Sequence, residues 1–257
     1  MVGRTYTTKT VMVDGSRIDV RQVAFKGDDR VPIRVAEVIR QARRWLLVAL
    51  EKTNASGFTR DIQAGKFLGA GKFDPAVFRH FFLQDPTPGI LASVWRNLAI
   101  INAGLSTSFG IKIRTMGARG SVNPYYPMFV RGTATLGQRK FGSCSINAGW
   151  LDDKDKWGDQ LHSKGEIHID MDWLFDDNAP RTLIHEGGHK FANLWDVAYY
   201  DPTTQAYKKV IDAGGAMRNA DTYAYFAKTI ALVADQRAAK RAAAASDETL
   251  NLSSLFG

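Results

Sequence analysis

The sequence predicts an α+β domain, mostly helical, with a small mixed sheet beside one chemically loaded helix. Three observations carry that expectation. Apolar residues recur at mostly three- and four-residue steps over long stretches, as in Val35, Ile39, Ala42, Leu46 and Leu50. Short alternating runs stand between those stretches, above all E-I-H-I-D-M-D-W over 166–173. That run leads into a segment where Asp176, Asp177 and Asn178 precede Pro180, the signature of a helix N-terminus.

Taken in order, residues 8–24 alternate loosely (Val11, Val13, Ile18, Val20) around Asp14-Gly15 and predict a hairpin. A helix follows over 32–53, with Val35, Ile39, Ala42, Leu46, Leu47 and Leu50 apolar and Arg40, Arg43 and Arg44 between them. A Gly-rich loop covers 65–71. Asp74-Pro75 then opens a helix over 74–84 carrying Phe78, Phe81 and Phe82. The next helix, 88–104, turns Leu91, Val94, Trp95, Leu98 and Ile101 inward. A strand at 111–114, a loop at 117–127, weaker strands within 128–134 and 142–148, and a polar loop at 151–164 complete the middle of the chain. In the strand 166–173, Ile167, Ile169, Met171 and Trp173 share one face, and Glu166, His168, Asp170 and Asp172 the other. After the helix that begins near Ala179, a last helix runs from Ala224 to about Ala245, and 246–257 are expected to form a loose tail.

Composition narrows the function classes. The chain has 257 residues, 45% hydrophobic and 23% charged, which fits a protein with a sizeable core and excludes a mainly disordered one. No repeat or linker divides it, so a single domain over 1–257 is expected, with 1–30 as its N-terminal hairpin. No apolar run approaches the roughly 18–20 residues that a membrane helix needs. Cys144 is the single cysteine, so no internal disulfide can form, and it is expected to be packed rather than reactive. The opening M-V-G-R-T-Y-T-T-K-T lacks the apolar core of a secretory leader, so synthesis in the cytoplasm with any export by another route is expected. The formal charge of +8 suits a soluble, self-repelling surface. Without an aromatic–basic recognition motif it predicts no specific nucleic-acid partner. Nothing in the sequence speaks to oligomeric state.

The chemistry is concentrated in H-E-G-G-H over 185–189. Residues four apart share a helix face, so His185 and His189 can address one ion while Glu186 sits beside them. Neutral imidazoles suit Zn²⁺, which acidifies a water it holds, and a neighbouring carboxylate can take that proton as the water attacks a carbonyl. Gly187 and Gly188 each cost a helix interior about 1 kcal/mol, so another backbone or a substrate is expected to approach closely there. Glutamate occurs only at 37, 51, 166, 186 and 248, so a third ligand from a nearby downstream glutamate is lacking, and no histidine follows His189. That leaves Asp196, Asp201, Asp212 and Asp221, of which Asp196 lies just past the expected helix end, where a turn can bring it back.

H-E-x-x-H, a short loop, then Asp196-Val-Ala-Tyr199 resembles the signature of the aspzincin metalloendopeptidases, the deuterolysin and peptidyl-Lys metallopeptidase group. The run T-L-I-H-E-G-G-H and the later N-A-D-T-Y-A-Y-F-A over 219–227 resemble the same family, and the likeness is specific over 165–235. It implies a zincin-like fold, His185, His189 and Asp196 as ligands of one zinc ion, Glu186 as general base, and Tyr199 as stabiliser of the oxyanion. Tyr200 is an adjacent rival for that last role. It also implies an acidic substrate contact at Asp221, although Ala224 stands where an acid is expected beside it, so strict lysine specificity is not predicted. His168, on the polar face of a strand that would border a substrate cleft, is a second candidate contact. The family's Gly-Thr before the ligand Asp and Gly after the Tyr are replaced here by Leu194-Trp195 and Tyr200. His80 and His162 are expected to be surface residues.

The expected function is therefore zinc-dependent endoproteolysis of a protein or peptide substrate by an activated water. The absence of disulfides suggests a bacterial member acting as an effector or toxin. Two rivals remain: a zinc amidase acting on peptidoglycan, which the basic surface suits, and a non-catalytic zinc-binding protein, which would need neither Glu186 nor Tyr199.

Overall fold

The computed structural model of the chain describes residues 6–23, 30–54, 75–114, 142–144, 167–170 and 174–253. The first hairpin pairs β1 (Tyr6–Val13) with β2 (Ser16–Val23), and Val13 faces Ser16 across the turn. Both turn residues are left-handed, Asp14 at φ 48° and Gly15 at φ 85°. Aspartate and glycine are the residues that tolerate this geometry, and its twist matches the flanking strands.

β3 (Phe109–Arg114) adds parallel to β2, β5 (Ile167–Asp170) adds parallel to β3, and β4 (Gly142–Cys144) closes the row antiparallel to β5. The five-stranded order β1-β2-β3-β5-β4 is thus mixed. Register aligns one face: Val20 pairs with Ile111 and Ile111 with Ile167, all at 0–1% exposure. Among the described residues, the strand carrying His168 is internal, with its backbone paired to β3 on one side and to β4 on the other. At the level of named strands, the edge beside it is β4.

Helices cover the apolar face. α1 (Arg30–Lys52) buries Val31, Val35, Val38, Ile39, Ala42, Trp45, Leu46 and Ala49. α2 (Pro75–Phe82) inserts Phe78, Phe81 and Phe82. α3 (Pro88–Leu105) starts where the Thr87 hydroxyl accepts from the Ile90 N–H, with proline in the first turn. Leu47 and Trp95, expected inside, are 53% and 41% exposed. Each lies one position round the helix from a better-placed neighbour, Leu46 or Val94, both fully buried.

α4 (Ala179–Ala192) packs against β4, β5, α3 and α6 (Ala220–Ser253). It stops at Asn193, which is left-handed at φ 52°. A short hairpin, β6 (Tyr200–Asp201) with β7 (Ala206–Tyr207), and one turn of helix, α5 (Ala213–Met217), lead into α6. α6 continues to Ser253 rather than ending near 245. The buried apolar side chains of the sheet and of α1–α4 and α6 form one continuous core. Among the described residues, no helix is long and apolar enough to cross a membrane. The expectations for 65–71, 117–127, 128–134 and 151–164, and for Asp74, His162, Glu166, Met171 and Trp173, fall outside the described residues.

Candidate metal centre

The glycine pair of α4 faces neighbouring helices. A Cβ on Gly187 would sit 3.3 Å from Ile101 of α3, and one on Gly188 would sit 3.4 Å from the Cβ and 3.6 Å from the Cα of Ala220. The close approach expected from the sequence is therefore made by helices. It sinks α4 so deeply that His185, Glu186 and His189 are 6%, 3% and 9% exposed.

The left-handed Asn193 then reverses the chain. The Leu194 N–H donates to Gly188 O at 3.1 Å, and Leu194 O lies 2.6 Å from His189 Nδ1. This turn carries Asp196 back over the helix. Its Oδ1 lies 3.1 Å from both His185 Nε2 and His189 Nε2, which are themselves 3.1 Å apart. Among the described residues, these three form a group able to hold a metal ion. Bonds of about 2.0–2.1 Å in a tetrahedral zinc site place ligand atoms roughly 3.3 Å from one another. The two imidazoles and one carboxylate thus fit zinc in donor type and in spacing.

Electrostatics agree with a site built for a cation. Burial alone would depress the His185 imidazole, but Asp196, then Asp221 and Glu186, override it and raise its pKa from 6.5 to about 10. Partial burial would raise Asp196, yet the hydrogen bonds and charges of His185 and His189 hold its carboxyl far below the usual range. Three carboxylates, Asp196, Asp221 and Glu186, thus act on the His185 imidazole.

The two tyrosine candidates separate cleanly. Tyr199 is 51% exposed and stacks 6.1 Å from His185 at 20°. Burial of its phenol, and then the charge of Asp196, push its pKa far above the ordinary value, so it stays a neutral hydroxyl. Tyr200 is 9% exposed, with its hydroxyl 2.7 Å from His80 Nε2 and away from the metal ligands.

Asp221 requires a correction. It is 1% exposed, and its oxygens are held by protein groups. Oδ1 accepts from Arg181 Nη1 at 3.0 Å and lies 3.2 Å from His185 Nδ1, while Oδ2 accepts from the Tyr200 N–H at 2.6 Å. Buried and held by Arg181, His185 and the Tyr200 N–H, the carboxylate faces protein groups rather than an open surface. Ala224 is also fully buried, so no acid there would reach an open pocket.

Sequence reasoning also missed Asn219 and Arg181. Asn219, fully buried, accepts from the N–H groups of Val197 (3.1 Å) and Ala198 (3.3 Å) and donates to Ala198 O at 2.8 Å. Trp195 N–H donates to Arg218 O at 2.7 Å, and Ala220 N–H to Trp195 O at 2.9 Å. The N-A-D segment is therefore the clamp that shapes the loop bearing Asp196 and Tyr199. The available signal was a polar pair opening an apolar helix, which reads equally well as a cap. Asp201 and Asp212, the other ligand candidates, serve local turns: each accepts from a nearby backbone N–H, of Thr203 and Gly215 respectively.

No protein-family model and no curated protein matches the chain. Among solved structures, a zinc peptidase from Grifola frondosa is similar at 13% identity, over 78% of this chain and 95% of that one, with a TM-score of 0.46. The chemistry of the site rests on its own residues.

Proposed function

We propose that the chain is a zinc-dependent metallopeptidase of the aspzincin type, binding one zinc ion through His185, His189 and Asp196 and hydrolysing peptide bonds. The observation that carries this reading is the meeting of the three ligand atoms at 3.1 Å separations beside a buried glutamate. A zinc ion there supplies a Lewis-acidic centre and lowers the pKa of water. Glu186 follows His185 on the same helix, and its charge is felt at both His185 and Tyr199. It is the group that takes the proton from the attacking water and returns it to the leaving amine. Tyr199, neutral and on the exposed rim, donates its hydroxyl to the oxyanion that develops on the carbonyl. Asp221 and Asn219 hold His185 and the Asp196 loop in place. A purely structural zinc site has no use for a proton acceptor at Glu186 or an exposed hydroxyl at Tyr199.

Digestion of casein and a mixed peptide library by the native chain and by Glu186→Gln tests this. Cleavage by the native chain, abolished by chelation and reduced about 10²–10⁴-fold in Glu186→Gln, is expected. Zinc-loaded native chain that cleaves no peptide but releases fragments from peptidoglycan would replace the peptidase with an amidase.

A further inference from the structure

We infer that His80, at the surface of α2, is a positioning residue for the metal centre, acting through Tyr200 and Asp221. The inference rests on the zinc reading above and extends it to a residue with no sequence link to the site. His80 Nε2 lies 2.7 Å from the Tyr200 hydroxyl, with the two rings edge-on at 5.6 Å. The Tyr200 ring is boxed by Phe81 (5.2 Å), Tyr207 (5.6 Å) and Tyr225 (4.8 Å), so its plane follows α2 and α6. α2 itself is anchored by Phe78, Phe81 and Phe82, which stack into the core against Phe226 and Tyr223.

What Tyr200 transmits is set by its backbone. Its N–H donates to Asp221 Oδ2, and the other oxygen of that carboxylate meets His185 Nδ1. Tyr200 also directly follows Tyr199 and ends the loop that begins at Asp196. Tyr207, its partner in the β6–β7 hairpin, repeats the attachment by donating its hydroxyl to Phe81 O at 2.7 Å. The hairpin that continues the ligand loop is therefore tied to α2 by two tyrosine hydroxyls, one of them through His80. Losing the His80 tie leaves the Tyr200 ring to its aromatic neighbours without the hydrogen bond that sets its position, loosens its N–H against Asp221, and relaxes the imidazole and carboxylate that meet at the ion.

Zinc affinity measured by competition with a chromophoric chelator, together with the melting temperature of the zinc-free chain, tests this on full-length protein. His80→Ala and Tyr200→Phe are each expected to weaken zinc about 3- to 10-fold, the effect of one hydrogen bond. The double variant should be no weaker than either single one, and His80→Gln, which restores a partner for the hydroxyl, should recover most of the affinity. A merely structural tie would lower the melting temperature and leave zinc affinity unchanged. That result, or losses that add in the double variant, overturns the inference alone. A native chain that takes up no zinc overturns it together with the zinc reading.

Discussion

At the scale of single residues, each imidazole of the proposed zinc site is fixed by a partner that is not itself a proposed ligand. His189 has Leu194 O behind its Nδ1, and His185 has Asp221. Such partners set tautomer and ring orientation, and removing one costs about 10- to 100-fold in metal affinity. Asp221→Asn is accordingly expected to weaken zinc by at least about 10-fold in chelator competition. The same change leaves the buried Arg181 guanidinium without its charge partner, so denaturant unfolding should report a loss of about 3 kcal/mol or more. Asp196→Ala removes a ligand outright and should abolish most activity and weaken zinc. Unchanged metal content and turnover in that variant would move the third ligand elsewhere. Tyr199→Phe should retain zinc and lose turnover by about 10²-fold or more, the scale for one oxyanion donor, with KM little changed. Tyr200→Phe should not reproduce that loss of turnover in the zinc-saturated enzyme.

At the scale of elements, the site depends on how far α4 can sink. Glycine makes this possible on two helices. Gly187 and Gly188 let α3 and α6 approach α4, while a Cβ on Gly104 of α3 would lie 2.2 Å from the Phe191 ring. Gly104→Ala therefore forces Phe191 out of its place. Its expected cost is about 1–3 kcal/mol of stability, checked by chemical denaturation. The metal ligands near Phe191 make a secondary loss of zinc affinity the natural companion. Much of this layer was legible in the sequence: the hairpin at Asp14-Gly15, the helices expected at 32–53, 74–84 and 88–104 and found at 30–52, 75–82 and 88–105, and Asp196 as a candidate to meet H-E-x-x-H. Periodicity reports which face of an element is buried, and a turn just past a helix end is a local event. What stayed hidden is non-local. Asp221 and His80 reach the site from elements 36 residues after His185 and 120 residues before Tyr200, and no spacing rule connects them. Likewise, whether the strand carrying His168 is an edge or an interior strand is decided by its neighbours.

At the scale of the whole molecule, the proposed metal centre draws its three side chains from two separate parts of the fold. His185 and His189 belong to α4, Asp196 to the loop clamped by α6, and that loop runs on to a hairpin seated on α2. An ion that binds only the folded chain adds its binding free energy to stability, about 2.7 kcal/mol when free zinc is one hundred times the dissociation constant. The melting temperature should therefore rise with zinc and fall on chelation. The size of the rise should shrink in His189→Ala to that of an unspecific salt effect.

Every proposed role depends on whether this chain holds zinc at these three side chains. Equilibrium dialysis of native chain and of His189→Ala against micromolar zinc, followed by elemental analysis of both, measures that directly. One zinc per native chain and little above background in the variant is the predicted result. A native chain without zinc, or equal zinc in both proteins, would contradict it.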